Sequence, residues 1–132
     1  MKKPLILFLA ISLFGFTSCS DDDDNTGNPT VIATWTLVSV NPPQVYDLSA
    51  CPDNPTITFN QNNTTNWTVY DSENDCQAVN SSGEWQENSD GTYTVEIPDR
   101  GTFTGNVSFN GQDEFSFTTS YNTIPVILTF RK

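Results

Sequence analysis

The sequence predicts an all-β protein, an up-and-down antiparallel β-barrel of about eight strands, with a β-sandwich as the alternative. Apolar and polar residues alternate with a period of two in eight short segments rich in Thr, Val, Phe, Tyr and Trp, which is typical of strands with one buried face. Turn-forming residues separate these segments, and no window of similar length shows the 3.6-residue period of a helix. A sheet of about eight hairpin-connected strands can close on itself and so leave no exposed edge strand, which favours the barrel. Alternation alone is also compatible with the sandwich.

The predicted strands follow one another between Val31 and Lys132. In the first, VIATWTLVSV, the residues Val31, Ala33, Trp35 and Leu37 share one face. The other seven each place their large side chains at alternate positions: TITF (56–59), NWTVY (66–70), GEWQE (83–87), TYTVEI (92–97), TFTGNVSF (102–109), EFSFT (114–118) and IPVILTFRK (124–132). Gly105, in the middle of its strand, would suit a bend at a barrel corner.

Turn signals lie between the strands. The sharpest is Asn110-Gly111, because a type I′ turn needs positive φ at both central residues. The others are Asn62-Asn63, Ser81-Ser82-Gly83, Asp90-Gly91 and Arg100-Gly101. Their positions predict that most neighbouring strands are joined by hairpins.

The N-terminus predicts export. Two lysines precede a mostly apolar run from Leu5 to Phe16, which is too short to span a bilayer and has the size of a signal peptide. Thr17 and Ser18 then stand directly before Cys19, an arrangement that resembles the lipobox of bacterial lipoproteins. We therefore predict a lipoprotein signal peptide over residues 1–18 and lipid attachment at Cys19. The alternative is ordinary secretion with a free Cys19.

A polar tether is predicted over residues 19–30. Four consecutive aspartates, Asp21 to Asp24, lead into a tract without apolar residues, and like charges keep such a segment extended. Acidic residues just after a lipidated cysteine also resemble a surface-export signal of Gram-negative lipoproteins, a plain spacer being the alternative. We predict an outer-membrane lipoprotein, exposed on the cell surface or otherwise periplasmic.

Composition excludes several function classes. The chain has 5 basic and 16 acidic residues and a net charge of −11, so it lacks the basic footprint that nucleic acids require. It contains no histidine, which removes the commonest general base and zinc ligand. We predict no enzymatic activity and no cofactor, with contact to the membrane only through the lipid anchor and a monomeric state.

Cys51 and Cys76 are the cysteines that remain if Cys19 is modified. In an oxidising compartment such a pair predicts a disulfide. Free thiols or a two-cysteine metal site are the alternatives, and the metal site lacks further soft ligands.

The order of motifs resembles the lipocalin-like domain of small bacterial lipoproteins. The resemblance rests on ATWTLVSV near the start, the two cysteines, SGEWQ and the closing ILTFRK. It extends over nearly all of residues 31–132. The resemblance implies a barrel closed at one end by Trp35, with Arg131 or Lys132 packed over its ring. It also implies a small hydrophobic ligand held in the barrel mouth.

Six aromatic residues occupy the inward phase of their strands and are candidates to line such a cavity. They are Trp67, Trp85, Tyr93, Phe103, Phe115 and Phe117. An eight-stranded barrel is just wide enough to be filled by side chains or to hold one small ligand, so a solid aromatic core is the competing interpretation.

Acidic residues offer weaker candidate sites. Asp71, Glu73 and Asp75 alternate in DSENDC and could provide oxygen ligands to Ca²⁺, but the glycine of an EF-hand loop is absent and we predict no metal. The leading hypothesis is a membrane-anchored binding protein for a small hydrophobic ligand. The alternative is a filled barrel that binds protein or glycan through loops such as 41–54, and a cavity above about 300 Å³ would favour the first.

Overall fold

The computed structural model describes residues 29–132. The predicted signal peptide, the lipid attachment at Cys19 and nearly all of the tether lie outside this range, so these remain predictions. The described residues form a closed antiparallel barrel in which each strand pairs with the next and β8 pairs back with β1. The strands are β1 (Thr34–Asn41), β2 (Thr56–Phe59), β3 (Thr64–Asp71), β4 (Gln77–Glu87), β5 (Tyr93–Ile97), β6 (Gly101–Phe109), β7 (Glu114–Tyr121) and β8 (Ile124–Arg131). Within this part of the chain, no helix has the length and apolar character needed to cross a membrane.

All eight predicted strands are confirmed, and β4 is longer than predicted. It begins at Gln77 and runs through Ser81-Ser82-Gly83, which the sequence had suggested as a turn. The turn prediction is wrong because β3 pairs with β4 along its whole length, from Thr64 opposite Glu84 to Asp71 opposite Gln77. The connection is therefore at 72–76, where Asp75 and Cys76 have φ values of 56° and 55°.

The type I′ turn predicted at Asn110-Gly111 is also wrong. Four residues separate β6 from β7, and only Gly111 of the pair has positive φ, at 75°. The Asn110 N–H donates to the Glu114 carbonyl at 2.9 Å, and the Asn60 and Asn88 N–H groups make the same bond across the β2–β3 and β4–β5 connections. In each of the three, the asparagine thus begins a longer loop instead of filling a two-residue turn.

The strand order gives the barrel two different ends. The chain enters β1 and leaves β8 at the same end as the β2–β3, β4–β5 and β6–β7 hairpins, which we call the closed end. The other four connections meet at the opposite end, which we call the open end. There the β1–β2 connection contains two 3₁₀ turns, Pro43–Val45 and Leu48–Ala50, and the Cys51–Cys76 disulfide, confirmed by the structure, joins it to the β3–β4 connection.

Aromatic side chains fill the closed half of the barrel. Phe115 is 1% exposed and contacts four other rings, those of Trp35, Phe59, Phe109 and Phe130, at centroid distances between 4.7 and 6.2 Å. Edge-to-face and offset contacts of this kind add to the free energy of area burial. The remaining space at the centre of this cluster is about 10 Å³, so this half is a solid core.

Trp35 closes the bottom of the barrel, as the resemblance implied. It is fully buried, and its indole N–H donates to the Val31 carbonyl at 2.7 Å. Lys132, and not Arg131, lies over its ring, with Nζ 5.3 Å from the centroid. Arg131 follows the inward-facing Phe130 on β8, so alternation turns it outward, where its guanidinium binds Glu114 at 3.0 Å.

Two local features adapt the strands to the barrel. The pairing of β1 with β8 shifts register between Leu37 and Ser39, so Leu37 and Val40 both point inward and the period of two is interrupted. At Gly105, a Cβ atom would collide with the backbone carbonyl oxygen of Thr118 on β7. Glycine is therefore required there by the close approach of the two strands.

Candidate functional site

An apolar cavity of about 100 Å³ lies in the half of the barrel next to the open end. Its inner walls come from side chains of β1, β3, β6 and β8 that share the inward phase of their strands: Leu37, Val40, Trp67, Val69, Phe103, Val126 and Leu128. The loops add Val45, Pro55 and Pro98. A cavity of about 150 Å³ lined by apolar side chains binds benzene, so this one has room for a small hydrocarbon group but not for a complete drug-sized molecule.

Arg100, Tyr46 and Tyr121 surround the mouth of this cavity. The guanidinium carbon of Arg100 lies 5.9 Å from the centre of the Tyr46 ring and 5.5 Å from that of Tyr121, within cation–π range. One guanidinium nitrogen also donates to the Tyr121 hydroxyl at 3.3 Å. Burial raises the pKa of Tyr46, and the charge of Arg100 opposes that rise.

A wider polar depression of about 610 Å³ continues outward from the mouth, and we call it the vestibule. It shares Tyr46, Pro98 and Arg100 with the inner cavity. Its walls carry five carboxylates, those of Asp47, Asp53, Asp71, Glu73 and Asp99. The site therefore consists of an apolar inner part and a polar, mainly acidic outer part, which is a shape suited to an amphipathic ligand.

Local contacts fix the loop that carries Tyr46. The Asp47 carboxylate accepts hydrogen bonds from the Ser49 N–H and hydroxyl, and these bonds hold the pKa of Asp47 below its usual value. The Asn54 side chain donates to the Leu37 carbonyl at 3.0 Å. Together with the disulfide at Cys51, these bonds attach the long β1–β2 connection to the barrel.

The structure divides the six predicted lining residues between two places. Trp67 and Phe103 line the cavity. The other four, Trp85, Tyr93, Phe115 and Phe117, point inward but pack in the closed half, where Trp85 stacks on Tyr93 at 6.2 Å. They do not line the cavity because each sits nearer the closed-end hairpins, where the rings meet across the axis.

Sequence reasoning missed Arg100 and Tyr121 as residues of the mouth, and it included Tyr46 only in the 41–54 loop of the interaction alternative. Arg100, Tyr46 and Tyr121 lie in connections or at a strand end, where no periodicity applies. One signal was present: Arg100 is the only Lys or Arg between Lys3 and Arg131. An isolated cation in so acidic a chain is a reason to ask what it binds.

The acidic residues are not arranged as a metal centre. Among residues 29–132 there is no group of three His, Cys, Asp or Glu side chains close enough to hold an ion. In the DSENDC connection, Asp71 instead accepts a hydrogen bond from the Glu73 N–H at 3.0 Å.

Three comparisons relate this chain to known proteins. A family model described as a lipocalin-like domain matches residues 31–129. A search of curated proteins finds no match. Among solved structures, the chain is similar to the wild-type fluorescent protein UnaG, with a TM-score of 0.40 and 12% identity over 76% of this chain and 96% of that one. It is also similar to a variant of UnaG, with a TM-score of 0.42 and 11% identity over 76% and 94%.

Proposed function

Because the chain belongs to the lipocalin-like domain family, we propose that it is a binding protein, not an enzyme, which takes the apolar end of a small ligand into the cavity at the open end. The observation that carries this proposal is the contrast between the two halves of the barrel. The closed half is packed to about 10 Å³ of free space, whereas the open half retains about 100 Å³ behind an accessible mouth. An unfilled apolar space costs packing energy, so its position at the mouth favours a binding role.

The size of the cavity limits how a ligand binds. Ligand pockets usually measure about 300–1,000 Å³, and the inner cavity is smaller than this. A ligand would therefore place one apolar end among Val126, Leu128 and Phe103, and the remainder would lie in the mouth and the vestibule. The site needs no wider cavity if only this end is buried.

We further propose that the protein is anchored by a lipid on Cys19 to the outer membrane, outside the cytoplasm. The motif at Cys19 and the acidic tether support this. The described chain starts at the closed end, so an anchor attached through the tether would leave the mouth free to open away from the membrane. The ligand would then enter from the aqueous side.

Binding of 1-decanol tests the proposed function, because this molecule has an apolar chain and no charge. We expect saturable binding by isothermal titration calorimetry, and at least tenfold weaker binding in Val126→Phe, whose ring would occupy the cavity. Ile127→Phe is the matched control, since Ile127 is the next residue on β8 and points outward, with 39% of its surface exposed. Equal affinities for the two variants, or no binding to the wild type, would contradict the proposal.

The alternative is an interaction module that binds a protein or glycan through the loops of the open end. The small volume of the cavity favours it, since 100 Å³ is also enough for one side chain of a partner. Native mass spectrometry of the purified protein separates the two proposals. A co-purified small molecule supports ligand binding, whereas a protein free of small molecules that also fails to bind 1-decanol supports the interaction module.

A further inference from the structure

We propose that Arg100 makes the site selective for ligands in which the apolar end is followed by a single anionic group, such as a carboxylate. This inference rests on the proposed function, because it concerns the part of the same ligand that lies in the mouth. The ligand class is thus an amphipathic monoanion.

Among the described residues, Arg100 is a cation at the mouth of the cavity that has no carboxylate partner. The part of the chain that the structure describes contains three cations. Arg131 binds Glu114, which is the one ion pair among these residues, and Lys132 lies over Trp35 at the closed end. The guanidinium of Arg100 has five N–H donors, and its one hydrogen bond to a protein group is to the Tyr121 hydroxyl. The others remain for solvent or a ligand.

The position of Arg100 places these donors on the path of the ligand. Its side chain is part of both the inner cavity wall and the vestibule wall. Tyr46 from the β1–β2 connection and Tyr121 from the end of β7 hold the guanidinium between them. A chain that fills the cavity and leaves through the mouth would bring its next polar group beside Arg100. A carboxylate matches the planar fork of a guanidinium with two parallel hydrogen bonds.

The five vestibule carboxylates set the limit of one charge. They face a ligand across the solvent of the vestibule, where salt and water weaken their repulsion, whereas the guanidinium makes direct contact. A single carboxylate would therefore gain more from Arg100 than it loses to the vestibule. Among the described residues that line the cavity and the vestibule, a second negative charge meets no further cation and would only be repelled. The acidic vestibule thus excludes polyanions, and Arg100 admits one anionic group.

Three ligands with the same ten-carbon chain test this inference: decanoate, 1-decanol and decyltrimethylammonium. The two ionic ligands are titrated below their micellar concentrations and 1-decanol below its solubility limit in water. We expect the wild type to bind decanoate about fivefold more tightly than 1-decanol and the ammonium ligand most weakly. Arg100→Gln should abolish the preference for decanoate, so that its affinities for decanoate and 1-decanol differ by less than twofold. Arg100→Lys should retain part of it, because the charge remains and the fork is lost.

Arg131→Gln is the matched control. It changes the net charge by the same amount at the opposite end of the barrel and should leave all three affinities as in the wild type. A preference for decanoate that survives Arg100→Gln, or tightest binding of the ammonium ligand to the wild type, would overturn the inference while leaving the proposed function intact. If none of the three ligands binds the wild type, the proposed function itself fails.

Discussion

Loss of the Cys51–Cys76 disulfide is expected to destabilise the protein more than any single surface substitution. The bond joins residues 25 positions apart in sequence. In the chain-entropy model, closing a loop of this size removes about 3.5 kcal/mol of conformational freedom from the unfolded chain. Since small domains are stable by only about 5–15 kcal/mol in total, this is a large share.

The change is measured by urea unfolding of a Cys51→Ser/Cys76→Ser variant, with Cys19→Ser present in both proteins so that no other thiol responds. At an m-value of about 2 kcal/mol/M, the loss of 3.5 kcal/mol lowers the midpoint by roughly 1.7 M. In thermal unfolding the same loss corresponds to a fall of roughly 15 °C for a domain of about 100 residues.

Reducing agent provides the control for this prediction. It should lower the stability of the disulfide-containing protein to that of the double-serine variant and leave the variant itself unchanged. A midpoint that moves by less than about 0.5 M, or a reductant effect in the double-serine variant, would refute the reasoning. The first result would mean that the unfolded chain gains little freedom when the loop is opened.

Three further predictions concern single residues. Gly105→Ala should destabilise the protein by roughly 2–4 kcal/mol in urea unfolding, because its Cβ would meet the Thr118 backbone; a change below 0.5 kcal/mol would show that β6 and β7 can separate at no cost. Trp35→Phe should cost about 2–4 kcal/mol, since it leaves the buried Val31 carbonyl without its donor, and an unchanged midpoint would contradict this. Hydrogen bonds from Thr92 lower the pKa of the Asp90 carboxyl, so their contribution to stability is present above about pH 4 and lost as the pH falls through the lowered pKa. In Asp90→Asn, the decline of the melting temperature below pH 4 should be shallower than in the wild type. An identical decline would show that the Thr92 hydrogen bonds to the ionised Asp90 do not contribute to stability.

The fold could be predicted from the sequence because alternation reports directly which face of a strand is buried. Ile57 and Phe59 on β2, or Phe115 and Phe117 on β7, point inward as their phase requires. Turn positions were less predictable, since Ser81-Ser82-Gly83 has the composition of a turn but its backbone hydrogen bonds are made with β3. Pairing along a whole neighbouring strand outweighs the local preference of three residues.

The candidate site could be predicted only in part, because alternation gives the direction of a side chain but not its height along the barrel axis. Trp67 and Trp85 both point inward, and only Trp67 reaches the cavity. The geometry of the mouth depends on contacts between connections that are far apart in the sequence. Arg100, for example, contacts Tyr46, which lies 54 positions earlier in the chain. No local pattern in the sequence encodes such a contact.

The division of the barrel into a packed half and a hollow half follows from its size. A domain of about 100 residues buries little apolar surface in excess of what folding needs, so it cannot leave its whole interior empty. The rings around Phe115 supply the packing at the closed end, where the hairpins are short and the chain enters and leaves. At the open end the long β1–β2 connection is held by a disulfide as well as by side chains such as Val45 and Leu48 that pack against the core, and a space of about 100 Å³ beneath it stays unfilled. The disulfide adds a constraint on this loop that does not depend on filling the cavity, and it is therefore compatible with a hollow mouth.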